Sequence, residues 1–122
     1  MSPHFVINTV EKYTIIEFRI VSLMDSLVIE EIGSQLYPLV DEQDKRHIIL
    51  DFEKVQYLSS QAIGLVLNMH KKLSTLKRSK LILCGVGPKL MELMKITRLD
   101  RVLTIKPARP KRSRFCFNSL TR

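Results

Sequence analysis

Apolar residues fall into two alternating rhythms along this chain. Phe5 to Val10 and Tyr13 to Arg19 are apolar, β-branched runs separated by the polar pair Glu11-Lys12. In the second run Tyr13, Ile15 and Glu17 share one face and Ile16 and Phe18 the other, the period of two that a strand imposes. The spacing predicts a strand pair joined by a tight turn. From Met24 the rhythm changes. Val28, Ile32, Leu36 and Leu39-Val40 recur at helical spacing, with Glu30, Glu31 and Gln35 off the stripe. Asp25 or Ser26 can cap the start of this helix, and Pro38 is expected to kink or shorten its end.

The alternation then repeats. His47 to Phe52 is a compact apolar run ending on Asp51, which reads as a buried central strand. Ala62, Val66, Met69, Leu73 and Leu76 form a stripe with Ile63 and Leu67 beside it, a helix of roughly four turns. Lys80 to Val86 (KLILCGV) predicts a second buried strand, ended by Gly85 and Gly87. Pro88 suits the first turn of another helix, with Leu90, Leu93, Met94 and Ile96 inward. Arg101 to Ile105 closes the pattern as a short strand. The order β-β-α-β-α-β-α-β predicts a single α/β domain over residues 1–105. It should hold a mixed sheet of about five strands, the later ones parallel and joined by right-handed crossovers, with helices mainly on one face.

Charge refines this picture at one end. The net charge is +8, but residues 106–122 hold six basic groups and no acidic ones. The other 105 residues hold 14 basic and 12 acidic groups, a net of +2. The basicity therefore belongs to a C-terminal tail, and Pro107 and Pro110 mark its boundary. A disordered, solubilising extension is the expectation for 106–122; the rival is contact with nucleic acid or a membrane surface. No apolar run approaches the ~18 residues of a membrane span, and the N-terminus does not read as a secretory signal, so a cytoplasmic protein is expected. Cys84 reads as a buried apolar residue and Cys116 falls in the tail; their spacing points to neither a metal nor a disulfide role.

Enzymatic motifs are missing. There is neither a G-x-G-x-x-G nor a G-x-x-x-x-G-K-[ST] pattern, and the Gly85 to Gly87 segment is better explained as a strand-to-helix turn than as an anion site. His4, His47 and His70 are isolated from one another, and no Ser-His-Asp or paired-carboxylate arrangement can be assembled by spacing. No catalysis, metal or cofactor is expected.

What remains is the serine pair Ser59-Ser60 at the junction between the Asp51 strand and the helix that follows. Ser60 is the preferred N-cap, its hydroxyl accepting from a backbone N–H two or three residues later, and Ser59 serves if the helix starts one residue earlier. A helix N-terminus also tolerates a phosphate, because free N–H donors and the positive end of the helix dipole face it. Cap and switch are therefore compatible.

The stretch ILDFEKVQYLSSQAIGLVL resembles the signature of the STAS domain of bacterial anti-sigma factor antagonists: a strand ending in Leu-Asp, a loop with an apolar residue, then D-S-S-G-L-G at a helix start. Here these are Leu50-Asp51, Val55 and Ser59-Ser60-Gln61-Ala62-Ile63-Gly64. LILCGVGPKLMELMKITRLDRVLTI is similar to the family's closing strand, helix and strand, so the resemblance covers nearly all of Phe5 to Ile105. Aligned on Ile63-Gly64, the family's phosphorylated second serine falls on Gln61. A one-residue shift returns Ser60 to that slot but misplaces Ile63-Gly64.

The resemblance implies a non-enzymatic module that binds an anti-sigma factor which is itself a serine kinase. Val55, Tyr57, Leu58, Ser59, Ser60, Gln61 and Gly64 would form the docking surface, with Ser60 and then Ser59 as phosphorylation candidates. It implies a monomer or weak dimer with neither a nucleic-acid nor a membrane partner. Two other readings stand beside it: a STAS scaffold or sensing module in a larger regulatory or transport-associated complex, and a nucleic-acid-associated protein using the basic tail.

Overall fold

The computed structural model describes residues 4–107. Strands β1 (Phe5–Val10) and β2 (Tyr13–Phe18) form the expected antiparallel pair, Val10 opposite Tyr13 across the two-residue turn. A two-residue strand, β3 (Ser22–Leu23), precedes helix α1 (Ser26–Asp41). Then follow β4 (His47–Asp51), a second two-residue strand β5 (Tyr57–Leu58), and α2 (Ser60–Ser74). The chain closes with β6 (Lys80–Val86), α3 (Pro88–Ile96), a 3-10 turn (Leu99–Arg101) and β7 (Thr104–Pro107).

The main sheet has five strands in the order β1-β2-β4-β6-β7, with β4 at its centre. β2, β4, β6 and β7 run parallel and only β1 is reversed, so the mixed sheet has the predicted character. β3 and β5 pair in parallel as a separate two-stranded sheet that periodicity did not predict. Two residues are too short a run to show a period.

The helices cover one face. Ile29, Ile32, Leu36 and Leu39 of α1, Ala62, Val66, Met69 and Leu73 of α2, and Leu90 and Met94 of α3 pack on Ile16, Phe18, Ile48, Leu50 and Leu83. Phe18 and Phe52 stack within this core, ring centroids 5.1 Å apart. The opposite face holds a smaller buried cluster, Tyr13, Ile49, Ile82 and Cys84, with Ile15 against it; no residue of α1, α2 or α3 belongs to it.

Several local expectations need correction. Pro38 does not end α1, which runs on to Asp41. The proline sits in the last turn, where its missing N–H removes only one ladder bond. Gly85 does not end β6 but bulges it: its φ of +68° accompanies a register shift between Leu83 and Val86. Ile96 is exposed and not inward. The last strand starts at Thr104 because the 3-10 turn takes up Arg101. Cys84 is disulfide-bonded, contrary to the reading from spacing; Cys116 and the remaining tail from residue 108 lie outside the described residues.

Candidate functional site

The three helices start at the end of the domain where the parallel strands finish, as βα connections require. Asp51 closes β4 there and is almost fully buried. Its Oδ1 accepts from the Glu53 N–H at 3.0 Å, which turns the chain out of the strand. Burial pushes the Asp51 carboxyl up to about 6; Glu17 and Glu53 add to the rise, while the Glu53 N–H and Lys54 oppose it. Gly85 of the neighbouring strand makes the turn possible. A Cβ there would lie 2.8 Å from Asp51 Oδ1 and 3.0 Å from the Glu53 nitrogen.

The loop that follows is tied to the start of α1. The Gln56 and Tyr57 N–H groups donate to the Val21 carbonyl at 2.7 and 3.2 Å, and the Ser59 N–H donates to the Leu23 carbonyl at 3.0 Å. The β3–β5 pair thus holds the entries of α1 and α2 side by side. Gln61 Nε2 reaches the Ser26 carbonyl at 3.5 Å across the same junction. Asp25 caps α1 through its side chain, accepting from the Leu27 and Val28 N–H groups.

The serine pair separates into two roles. Ser59, not the expected Ser60, is the N-cap of α2: its backbone is extended and its Oγ accepts from the Ala62 N–H at 3.1 Å. Ser60 is the first helical residue and is exposed, as is Gln61 beside it. The extended β5 backbone runs into Ser59 and moves the boundary one residue earlier than the apolar pattern implied.

The other predicted docking residues divide by burial. Tyr57 is exposed, with Lys89 Nζ of α3 5.2 Å over its ring. Leu58 and Gly64 are half-buried. Val55 is only 2 % exposed and packs into the core, so it supports the loop from beneath. Residues not anticipated from sequence complete the surface. Val21, Met24 and Leu27 are exposed, Leu27 at 74 %; Val21 and Met24 precede α1 and Leu27 lies in its first turn. Leu27 was legible as an apolar residue off the α1 stripe. Val21 and Met24 flank a strand too short to read. A groove between α1 and α2, lined by Gly33, Tyr37, Gln61, Gly64 and Asn68, continues this surface.

A sheet of this order, three helices on one face and a serine-bearing helix start after a Leu-Asp strand end define a recognisable class. The STAS domain profile matches residues 6–111, and the chain belongs to that family. The fold is similar to an anti-sigma factor antagonist from Mycobacterium paratuberculosis (TM-score 0.76, 15 % identity, covering 98 % of this chain and 95 % of that one). It is similar to an anti-sigma-factor antagonist (STAS) domain protein from Planctomyces limnophilus (0.74, 19 %, 89 % and 94 %). It is also similar to the Bacillus cell fate determinant SpoIIAA in its phosphorylated form (0.65, 20 %, 83 % and 89 %). Among the described residues no helix is long and apolar enough to cross a membrane.

Proposed function

We propose that this protein is a cytoplasmic, non-enzymatic anti-sigma factor antagonist that docks a serine-kinase anti-sigma factor on the surface formed by Tyr57, Ser60 and Gln61 with Val21, Met24 and Leu27. The observation that carries the reading is the geometry of Ser60. It is exposed at the first position of a 15-residue helix, next to the cap, and the paired β3 and β5 segments before it carry or adjoin the exposed apolar residues Val21, Met24 and Tyr57. Such patches mark protein contacts, and an aromatic at their centre tends to carry the binding energy. Ser59 is a poorer phosphoacceptor because its hydroxyl is engaged with the Ala62 N–H and half-buried. Phosphate on Ser60 would meet the free N–H groups of the first turn, so it would be tolerated by the fold while placing close to two negative charges in an apolar contact.

The test uses the full chain, an anti-sigma-type serine kinase, and ATP. A complex that forms with ADP and dissociates with ATP, with phosphate mapped to Ser60 by mass spectrometry, is the expected result. A complex that persists with ATP and carries no phosphate removes the switch and leaves a constitutive antagonist with Gln61 as a neutral contact. Absence of any complex overturns the antagonist reading. Tyr57→Ala should weaken the complex at least about tenfold without moving Tm, as a contact anchor does.

A further inference from the structure

The main sheet ends in two unlike edges. β7 is a blunted edge: it holds Lys106 and Pro107, its pairing with β6 shifts register between Leu83 and Val86, and a proline has no N–H to offer a further strand. β1, at the other edge, has none of these devices. Its six residues, FVINTV, include neither a charge nor a proline, and they pair with β2 without a shift from Phe5 opposite Phe18 to Val10 opposite Tyr13. The Arg19 N–H donates to the His4 carbonyl at 2.7 Å, which fixes His4–Arg19 as a hydrogen-bonded pair of this ladder. Bonded and non-bonded pairs alternate along antiparallel strands. Val6, Asn8 and Val10 therefore direct their N–H and C=O groups to β2. Phe5, Ile7 and Thr9 turn theirs outward, where among the described residues no strand receives them. Ile7 and Val10 are also exposed, at 42 % and 37 %.

We propose that β1 pairs antiparallel with β1 of a second copy of this chain, centred on Ile7. In that register Phe5 stands opposite Thr9 of the second copy, Ile7 opposite its own counterpart, and Thr9 opposite Phe5. These are the three outward-facing residues, so each N–H and C=O that β1 leaves unpaired meets an acceptor or a donor. The strand is its own complement, as a closed two-fold contact requires. No like charges meet along it, because it carries none. The two Ile7 side chains approach across the axis and lose their exposure to water. The two-fold axis stands perpendicular to the sheet, so the two sheets run on as one with all the helices on the same face. The two α2 starts then point to opposite ends, and both docking surfaces stay open. The pairing is independent of how those surfaces are read. A strand edge is small among specific interfaces, so the association is expected to be weak, in the micromolar range.

The experiment follows the full chain by analytical ultracentrifugation from about 1 to about 500 µM, with amide hydrogen exchange at both ends of that range. A dimer should appear as concentration rises. The amides of Phe5, Ile7 and Thr9 should exchange at least about threefold more slowly at the high concentration, while those of Val6, Asn8 and Val10 are held by β2 at both. Ile7→Lys sets two like charges on the axis, and Thr9→Pro removes an outward N–H without touching the β2 ladder. Each should weaken the dimer at least about tenfold with Tm nearly unchanged. Ile7→Lys, at a position already exposed, decides the matter by itself if the proline disturbs the hairpin. A monomer across the whole range, a dimer that Ile7→Lys retains, or protection that rises elsewhere than at the three outward amides would each overturn the proposal. Protection of those amides only when another protein is added would give the edge to a foreign strand and overturn self-pairing.

Discussion

Two neighbouring regions of this domain solve opposite problems. The end of β4 at Asp51 and the bulge of β6 at Gly85 are closed: a carboxylate oxygen, a backbone N–H and a glycine Cα are packed so tightly that a methyl group has no room. The start of α2, nine residues further along the chain from Asp51, is open. Ser60 and Gln61 are exposed, and Tyr57, Val21, Met24 and Leu27, on the segments that lead into α2 and α1, are exposed too. The closed region sets where the loop leaves the sheet. The open region is what the loop presents. Substitutions in the first should therefore read out in stability, and substitutions on the exposed part of the second should read out in binding with stability nearly unchanged.

The largest effect should come from Gly85→Ala. The position has φ +68°, which strains any L side chain, and the new Cβ would meet Asp51 Oδ1 at 2.8 Å and the Glu53 nitrogen at 3.0 Å. Strain and clash together should cost about 3 kcal/mol in chemical denaturation. A loss below about 0.5 kcal/mol, typical of an ordinary surface change, would mean that this region is not closed in the sense described.

A second, smaller effect concerns the charge inside that closed region. Asp51 holds its proton up to about pH 6 in the folded state, against an ordinary value of 3.8. Between these values the unfolded chain has already lost the proton that the folded protein keeps, so this carboxyl contributes stability at low pH that is lost as pH rises towards 6. The ceiling is near 3 kcal/mol, lowered by solvent screening on the loop side to on the order of 2 kcal/mol. Asp51→Asn keeps an oxygen for the Glu53 N–H and removes the titration. The variant should match or exceed the parent's stability at pH 7 and lose the fall between pH 4 and 6. An unchanged pH profile would show that Asp51 ionises normally.

The same contrast explains what could be read without coordinates. The closed region was legible in outline, because buried strands leave long apolar runs: Lys80 to Val86 matches β6 residue for residue. The bulge at Gly85 was not, since a positive φ follows from a contact with Asp51 in another strand. The open region was legible only where local chemistry marks it. Ser59-Ser60 stood out as a capping pair, yet which of them caps is decided by the β3–β5 pairing, a contact between segments over thirty residues apart in sequence. Val21 and Met24 join the surface through that same pairing. Ile96 was misjudged for the converse reason. It continues the helical stripe of α3, but the helix ends there and its side chain is left 71 % exposed.

The smallest predicted difference is the sharpest test of the boundary between the two regions. Ser59 and Ser60 are adjacent and chemically identical. Ser59 Oγ accepts from the Ala62 N–H, so Ser59→Ala leaves a first-turn donor without its partner in a half-buried site and should cost about 1 kcal/mol. Ser60 sits one position inside the helix, exposed, where alanine is the better helix former, so Ser60→Ala should change stability by less than about 0.5 kcal/mol in either direction. The difference fits within one pair of urea titrations at constant m-value. If Ser60→Ala is instead the costly change, the helix starts one residue later than described. Ser59 would then be freed as a phosphoacceptor, and the residue that the kinase reads would move with the cap.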